Sequence, residues 1–126
     1  MAHLDPILAV DDSAPIREMI LSVLAPRGYR VLTAPDGLAA LTILREAVEP
    51  FTVLLDIVMP LLDGLGVCEE IARDPVLRAA GHKIILMSST VRLSAPDMPP
   101  AAGHLAKPFT RQQLVEVVEA VGVTGA

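Results

Sequence analysis

The chain is poor in cysteine, in aromatic side chains and in basic residues, and each shortage excludes a class of protein. A single cysteine, Cys68, among 126 residues rules out an internal disulfide and suits a reducing compartment, so we expect a cytoplasmic protein. The aromatic residues are only Tyr29, Phe51 and Phe109, and the formal net charge is −5. Nucleic-acid surfaces use basic patches and stacking platforms, so we predict no direct nucleic-acid partner.

Long uncharged apolar runs are also missing, although the composition is strongly apolar. Hydrophobic residues make up 52% of the chain and the mean hydropathy is +0.54, which excludes a disordered chain. Aspartates interrupt the apolar stretches before they reach the ~18 residues of a membrane span, and residues 1–6 lack the basic flank of a signal peptide. We therefore predict no membrane contact and one domain over 1–126, with its core at about 7–121 and no separate output domain.

Short apolar runs alternate with amphipathic stretches five times, which predicts an α/β fold. Strands are predicted at 7–10, 29–34, 53–56, 83–87 and 104–106, with the more polar 29–34 at an edge. Ser13 and Thr110 open stretches with helical apolar spacing, and further helices are predicted over about 38–47 and 65–73. Because strands that alternate with helices form parallel sheets, we expect a single doubly wound, five-stranded parallel sheet with helices on both faces.

Polar residues follow four of the predicted strands, each at the carboxyl end: Asp11, Asp12, Asp56, Ser88 and Lys107. In a sheet of order 2-1-3-4-5, the first and third strands flank the crevice where such folds bind ligands. Three carboxylates meeting there raise one another's pKa, and a hard cation such as Mg²⁺ relieves the repulsion. A lysine and a hydroxyl at the same edge supply the counter-charge and the donor that a phosphoryl group needs.

The chain resembles the response-regulator receiver domains of bacterial two-component signalling, and in particular the chemotaxis receivers. The resemblance extends from about residue 7 to residue 121 and implies a flavodoxin-like fold. It is carried by Val10-Asp11-Asp12, Ala34-Pro35-Asp36-Gly37, Leu55-Asp56-Ile57-Val58-Met59-Pro60 with Asp63-Gly64, Met87-Ser88-Ser89 and Lys107-Pro108-Phe109.

The resemblance implies a role for each residue at the strand ends. Asp56 is expected to accept the phosphoryl group, Ser88 to be the switch hydroxyl and Lys107 to pair with a phosphoryl oxygen. His104 takes the place of the family's usual Tyr or Phe switch residue. The family often has a cis peptide bond at the position of Lys107-Pro108.

The resemblance also implies a cofactor and partners. Mg²⁺ is expected on Asp12 and Asp56, on Asp11 through water, and on the backbone carbonyl of Val58. The expected phosphodonor is a sensor histidine kinase or a phosphotransfer protein, and the expected output is a switched surface that binds a downstream protein. The domain is not expected to be a free-standing enzyme.

The main departure from the family lies between positions 91 and 102, where relatives carry a fourth helix. Three prolines fall in this stretch, and each costs roughly 3 kcal/mol in a helix interior; they are Pro96, Pro99 and Pro100. We therefore predict that the fourth helix is short or missing, that about 93–102 is a loop or a single turn, and that this segment reorders on activation together with His104.

Competing functions are weaker. A phosphohydrolase with an aspartate nucleophile generally carries a second aspartate two residues on, where this chain has Val58. A receiver that only binds partners would be expected to lack some of the acidic residues or the lysine, and all are present. Because the chain runs from Met1 to shortly after the last predicted helix, a stand-alone regulator is expected; the alternative is a receiver fragment of a longer regulator.

Overall fold

The structure, a computed structural model, describes residues 4–89 and 101–124. In chain order the elements are β1 Ile7–Val10, α1 Ala14–Leu24, a 3-10 turn Ala25–Arg27, β2 Val31–Ala34, α2 Gly37–Arg45, β3 Thr52–Asp56, α3 Gly64–Arg73, α4 Pro75–Ala79, β4 Lys83–Ser88, β5 Gly103–Ala106 and α5 Arg111–Thr124.

The five strands form one parallel sheet of order β2-β1-β3-β4-β5, as predicted, with the polar strand β2 at one edge. The pairing aligns the strand ends, because Val10 pairs with Leu55 and Asp56 pairs with Met87. The residues that follow β1 and β3 therefore come out side by side at the carboxyl edge of the sheet.

Two apolar cores lie on opposite faces of the sheet, which explains the uninterrupted apolar runs. Side chains alternate between faces along a strand, so Leu8 and Val10 belong to one core while Ile7 and Ala9 belong to the other. Residues of α2, α3 and α4 pack in the first core, and residues of α1 and α5 pack in the second. A strand covered on both faces needs apolar residues at every position.

Side-chain caps fix where the helices begin. Ser13 caps α1, Asp36 caps α2, Asp63 caps α3 and Asp74 caps α4, each by accepting a backbone N–H of the first turn. At α5, the predicted capping box is present, because Thr110 and Gln113 exchange backbone-to-side-chain hydrogen bonds of 2.9 and 3.1 Å.

The structure departs from the prediction in detail only. β2 begins two residues later than predicted and α2 ends at Arg45. The five-residue α4, which lies before β4, was missed although Asp74 and Pro75 are a typical helix start. The predicted loop at 93–102 lies almost entirely outside the described residues, which resume at Ala101.

None of the helices in the described ranges is both long enough and apolar enough to cross a membrane.

Candidate functional site

Asp56 is the last residue of β3 and is almost completely buried, with 5% of its surface exposed. Its Oδ1 lies 3.4 Å from Nζ of Lys107, and the nearby backbone N–H of Val58 favours its charged form. The backbone N–H of Ile57 is bonded to the carbonyl of Met87 on β4. The end of the central strand thus presents one buried carboxylate beside one ammonium group.

Asp11 directly follows β1 and is fully buried, with every oxygen atom engaged. Its Oδ2 accepts a 2.6 Å hydrogen bond from Nζ of Lys107, and its Oδ1 accepts a 2.9 Å bond from the backbone N–H of Ser13. Its backbone carbonyl accepts a 2.6 Å bond from Nη1 of Arg17. Lys107 therefore bridges Asp11 and Asp56, and its shorter contact is with Asp11.

Asp12 completes the acidic group from the exposed side. Asp11, Asp12 and Asp56 each offer a carboxylate oxygen, and these oxygens all lie within 4.8 Å of one another. Three converging oxygen ligands, one of them open to solvent, fit Mg²⁺, which prefers oxygen and usually retains several waters. When bound, Mg²⁺ would neutralise the carboxylates and the charge on phosphoryl oxygens.

The electrostatics of the group follow from burial and like charge. Burial raises the pKa of Asp56, and the nearby carboxylate of Asp11 raises it further, against the opposing effect of Lys107. For Lys107, burial alone would lower the pKa, but the hydrogen bonds and charges of Asp11 and Asp56 outweigh burial, and the pKa is raised. The lysine is therefore held in its charged form between two carboxylates.

Of the remaining predicted residues, Ser88 and His104 lie on β4 and β5, and Val58 lies in the loop that follows β3. Ser88 ends β4 and is buried, and its carbonyl accepts a 2.8 Å bond from the backbone N–H of Lys107. The expected cis peptide bond between Lys107 and Pro108 is present. His104 lies on the edge strand β5 and is exposed, and the side chain of Val58 is 67% exposed.

The loop between β3 and α3 is held close to the strand end. The backbone N–H of Gly64 donates a 2.9 Å bond to the carbonyl of Ile57. A Cβ atom at Gly64 would lie 2.4 Å from the carbonyl oxygen of Asp56. From the sequence, Asp63-Gly64 was used only as part of the family resemblance. Both this close approach and the contact of Arg17 with Asp11 were missed, because neither leaves a spacing signal in the sequence.

Leu61, at the tip of this loop, has a left-handed backbone with φ of 70° and a side chain that is 79% exposed. A left-handed conformation costs a non-glycine residue ~1–2 kcal/mol, whereas glycine loses ~0.5–1 kcal/mol of chain entropy. Leu61→Gly is therefore expected to raise the free energy of unfolding by about 0.5–1 kcal/mol, measured by urea denaturation.

Val48→Gly is the matched control, because Val48 is 97% exposed and has no positive φ. It removes a similar exposed apolar side chain without relieving backbone strain, so it is expected to lower stability slightly. Equal destabilisation by both variants would contradict the strain at Leu61.

A doubly wound parallel sheet with a buried aspartate, two acidic neighbours and a lysine at its carboxyl edge offers oxygen ligands for a divalent cation and a counter-charge for a phosphoryl group. Comparison with known families identifies it further, since the response regulator receiver domain matches residues 7–119. The chain belongs to this family, and it is a signalling domain of two-component systems.

Two curated relatives and two solved structures illustrate the similarity. The probable transcriptional regulator ycf27 of Guillardia theta is 36% identical over 93% of this chain and 45% of its own length. The response regulator MprA of Mycobacterium leprae is 34% identical over 91% of this chain and 50% of its own length. The chain thus spans about half the length of these relatives.

The structures match over nearly their full length. The chemotaxis response regulator CheY4 of Vibrio cholerae has a TM-score of 0.83 and 27% identity, covering 94% of this chain and 99% of that one. The response regulator TrrA of Thermotoga maritima, solved in complex with Mg²⁺ and BeF, has a TM-score of 0.80 and 31% identity with the same coverages.

Proposed function

We propose that Asp56 accepts a phosphoryl group from a sensor histidine kinase or a phosphotransfer protein in a Mg²⁺-dependent reaction. The observation that carries the proposal is the juxtaposition at the sheet edge. A buried Asp56 carboxylate lies 3.4 Å from Nζ of Lys107, and its oxygen is within 4.8 Å of oxygens from Asp11 and Asp12. Membership of the receiver family supports this assignment.

The proposed transfer uses Asp56 as the nucleophile. One of its carboxylate oxygens attacks phosphorus as the P–N bond of a phosphohistidine breaks, and the electron pair of that bond returns to the imidazole nitrogen. The product is an acyl phosphate on Asp56. The ammonium group of Lys107 can then pair with a phosphoryl oxygen, since it already lies between Asp11 and Asp56.

The proposed output is a change in a protein-binding surface. Ser88 lies at the end of β4, buried and bonded through its carbonyl to the backbone of Lys107. We assign its hydroxyl the role of switch donor to the phosphoryl group, and His104 that of the second switch residue on β5. Phosphorylation then shifts the balance between two conformations, and the favoured one binds a downstream protein.

The prediction of a stand-alone regulator stays a prediction. The curated relatives are about twice as long as the matched region, and two of them are named as a transcriptional regulator and a response regulator. The chemotaxis protein, in contrast, is covered over 99% of its chain. The absence of a direct nucleic-acid partner is proposed for the receiver domain alone.

A small phosphodonor tests the proposal without a protein partner. Incubation of the protein with acetyl phosphate and millimolar Mg²⁺ is expected to add one phosphoryl group per chain, detected by intact mass and stable to acid but labile to base. EDTA is expected to abolish the addition, because the carboxylates then repel the donor without a cation between them. Equal labelling in EDTA, or none in Mg²⁺, would contradict the proposal.

A further inference from the structure

Asp12 is the most weakly anchored of the three carboxylates. Its side chain is exposed, and within the described ranges it makes no hydrogen bond or ion pair with the protein. By contrast, both carboxylate oxygens of Asp11 are hydrogen-bonded, and Asp56 is buried beside Lys107. The backbone on either side of Asp12 therefore decides the point from which its carboxylate can reach the other two.

That backbone is fixed by contacts to Asp11 and Ser13. The N–H of Asp11 donates to the carbonyl of Ala34 at 3.2 Å, and the N–H of Ser13 donates to Oδ1 of Asp11 at 2.9 Å. Ser13 in turn is held by α1, since its carbonyl accepts the N–H of Arg17 at 3.1 Å. A side chain of α1 also reaches this turn, because Nη1 of Arg17 donates a 2.6 Å bond to the carbonyl of Asp11.

Arg17 is placed unusually for a cation next to an acidic group. It donates to a main-chain carbonyl, and among the described residues it forms no salt bridge, although three carboxylates lie at the same end of the sheet. An arginine recruited for its charge would be expected to pair with a carboxylate, which gives stronger and often two-pronged bonds. The geometry of Arg17 instead ties the first turn of α1 to the end of β1.

We propose that Arg17 is a positioning residue for the Mg²⁺ site. By holding the carbonyl of Asp11, its guanidinium fixes the turn between β1 and α1 and so directs the unanchored carboxylate of Asp12 toward Asp56. The inference rests on the proposed function, because it presumes that the acidic group binds Mg²⁺. Residues that orient a metal ligand without touching the metal typically change metal affinity by roughly 10–100-fold when mutated.

The proposal and a simple charge effect predict changes of opposite sign. If Arg17 acted only as a nearby positive charge, its removal would reduce repulsion of Mg²⁺ and tighten binding. If it positions Asp12, its removal weakens binding despite the gain in electrostatic attraction. The sign of the change in Mg²⁺ affinity therefore distinguishes the two roles.

The test measures Mg²⁺ dissociation constants by calorimetry on the wild type and on Arg17→Met and Arg17→Gln. Both variants remove the charge and the bond to Asp11, and both are expected to bind Mg²⁺ about tenfold more weakly. Circular dichroism in EDTA checks that each variant is folded. If one of the two is not folded, the dissociation constant of the other variant decides the test. Arg27→Met, which removes an exposed charge just after α1, is expected to leave the constant within twofold of wild type.

Unchanged or tighter Mg²⁺ binding in the folded Arg17 variants would overturn the positioning role. A purely structural role would lower the melting temperature in EDTA and leave the dissociation constant unchanged, and that result would also overturn it. Absence of Mg²⁺ binding by the wild type itself would instead overturn the proposed function, so the two failures are distinguishable.

Discussion

Asp56→Asn is expected to abolish phosphorylation by a small phosphodonor and, in Mg²⁺-free solution at neutral pH, to raise the melting temperature. The amide cannot act as the nucleophile, so labelling falls to zero. The gain in stability follows from burial and from the Asp11 carboxylate, which together raise the pKa of Asp56 and so penalise its charged form. Asparagine has nearly the same shape and carries no charge.

The sign of the pH dependence follows from the same shift. The pKa of Asp56 is higher in the folded than in the unfolded protein. The contribution of Asp56 to the free energy of unfolding is therefore most favourable at pH values below its unfolded-state pKa, and it is lost as the pH rises through its folded-state pKa. The stabilisation by Asp56→Asn is therefore expected to be largest near neutral pH and to shrink as the solution is acidified below the pKa of Asp56. Thermal melts in EDTA at several pH values measure it.

Asp63→Asn is the matched control, because Asp63 lies at the other end of the same loop and caps α3. Asparagine is as good an N-cap as aspartate, so this variant is expected to be labelled normally and to show no gain in stability of the kind expected for Asp56→Asn. Labelling that persists in Asp56→Asn would move the acceptor elsewhere, and a lower melting temperature in EDTA would contradict the electrostatic account.

The fold could be predicted because its central strands leave a strong mark in the sequence. Strands β1, β3 and β4 are covered on both faces, so their residues are apolar without alternation. The meeting of Asp11, Asp12 and Asp56 was predictable as well, since parallel strands end at one edge and the strand order puts β1 beside β3. Topology alone thus assembles the acidic group.

The contacts within the site could not be predicted, because they depend on side-chain reach and on backbone approach. The sequence gives no sign that Lys107 lies closer to Asp11 than to Asp56, or that Arg17 binds a carbonyl rather than a carboxylate. The helix Pro75–Ala79 was missed because five residues are too few to show a helical period. Such features arise only after the elements have packed.

Gly64→Ala is expected to have the second large effect, on both stability and phosphorylation. A Cβ atom at this position would lie 2.4 Å from the carbonyl oxygen of Asp56 and 2.8 Å from the Cα of Ile57. Both neighbours are backbone atoms, so no side-chain rotation relieves the clash, and α3 must move away from the strand end. We expect the free energy of unfolding to fall by about 2 kcal/mol, as for other overpacked sites.

The Gly64→Ala variant is also expected to be labelled by acetyl phosphate more slowly than its loss of stability explains. The reason is that the clash displaces the backbone of Asp56, the residue that accepts the phosphoryl group. Misplacement of a reacting group by about 1 Å can cost roughly a hundredfold in rate.

Gly122→Ala is the matched control, since a Cβ atom at this position in α5 would meet nothing within 4 Å beyond the backbone of its own helix. Gly122→Ala is expected to be labelled at the wild-type rate, and its free energy of unfolding is expected to rise by up to about 1 kcal/mol, because alanine has a higher helix propensity than glycine. If Gly64→Ala matched Gly122→Ala in stability and labelling rate, the close approach of α3 to Asp56 would not be a requirement of the site.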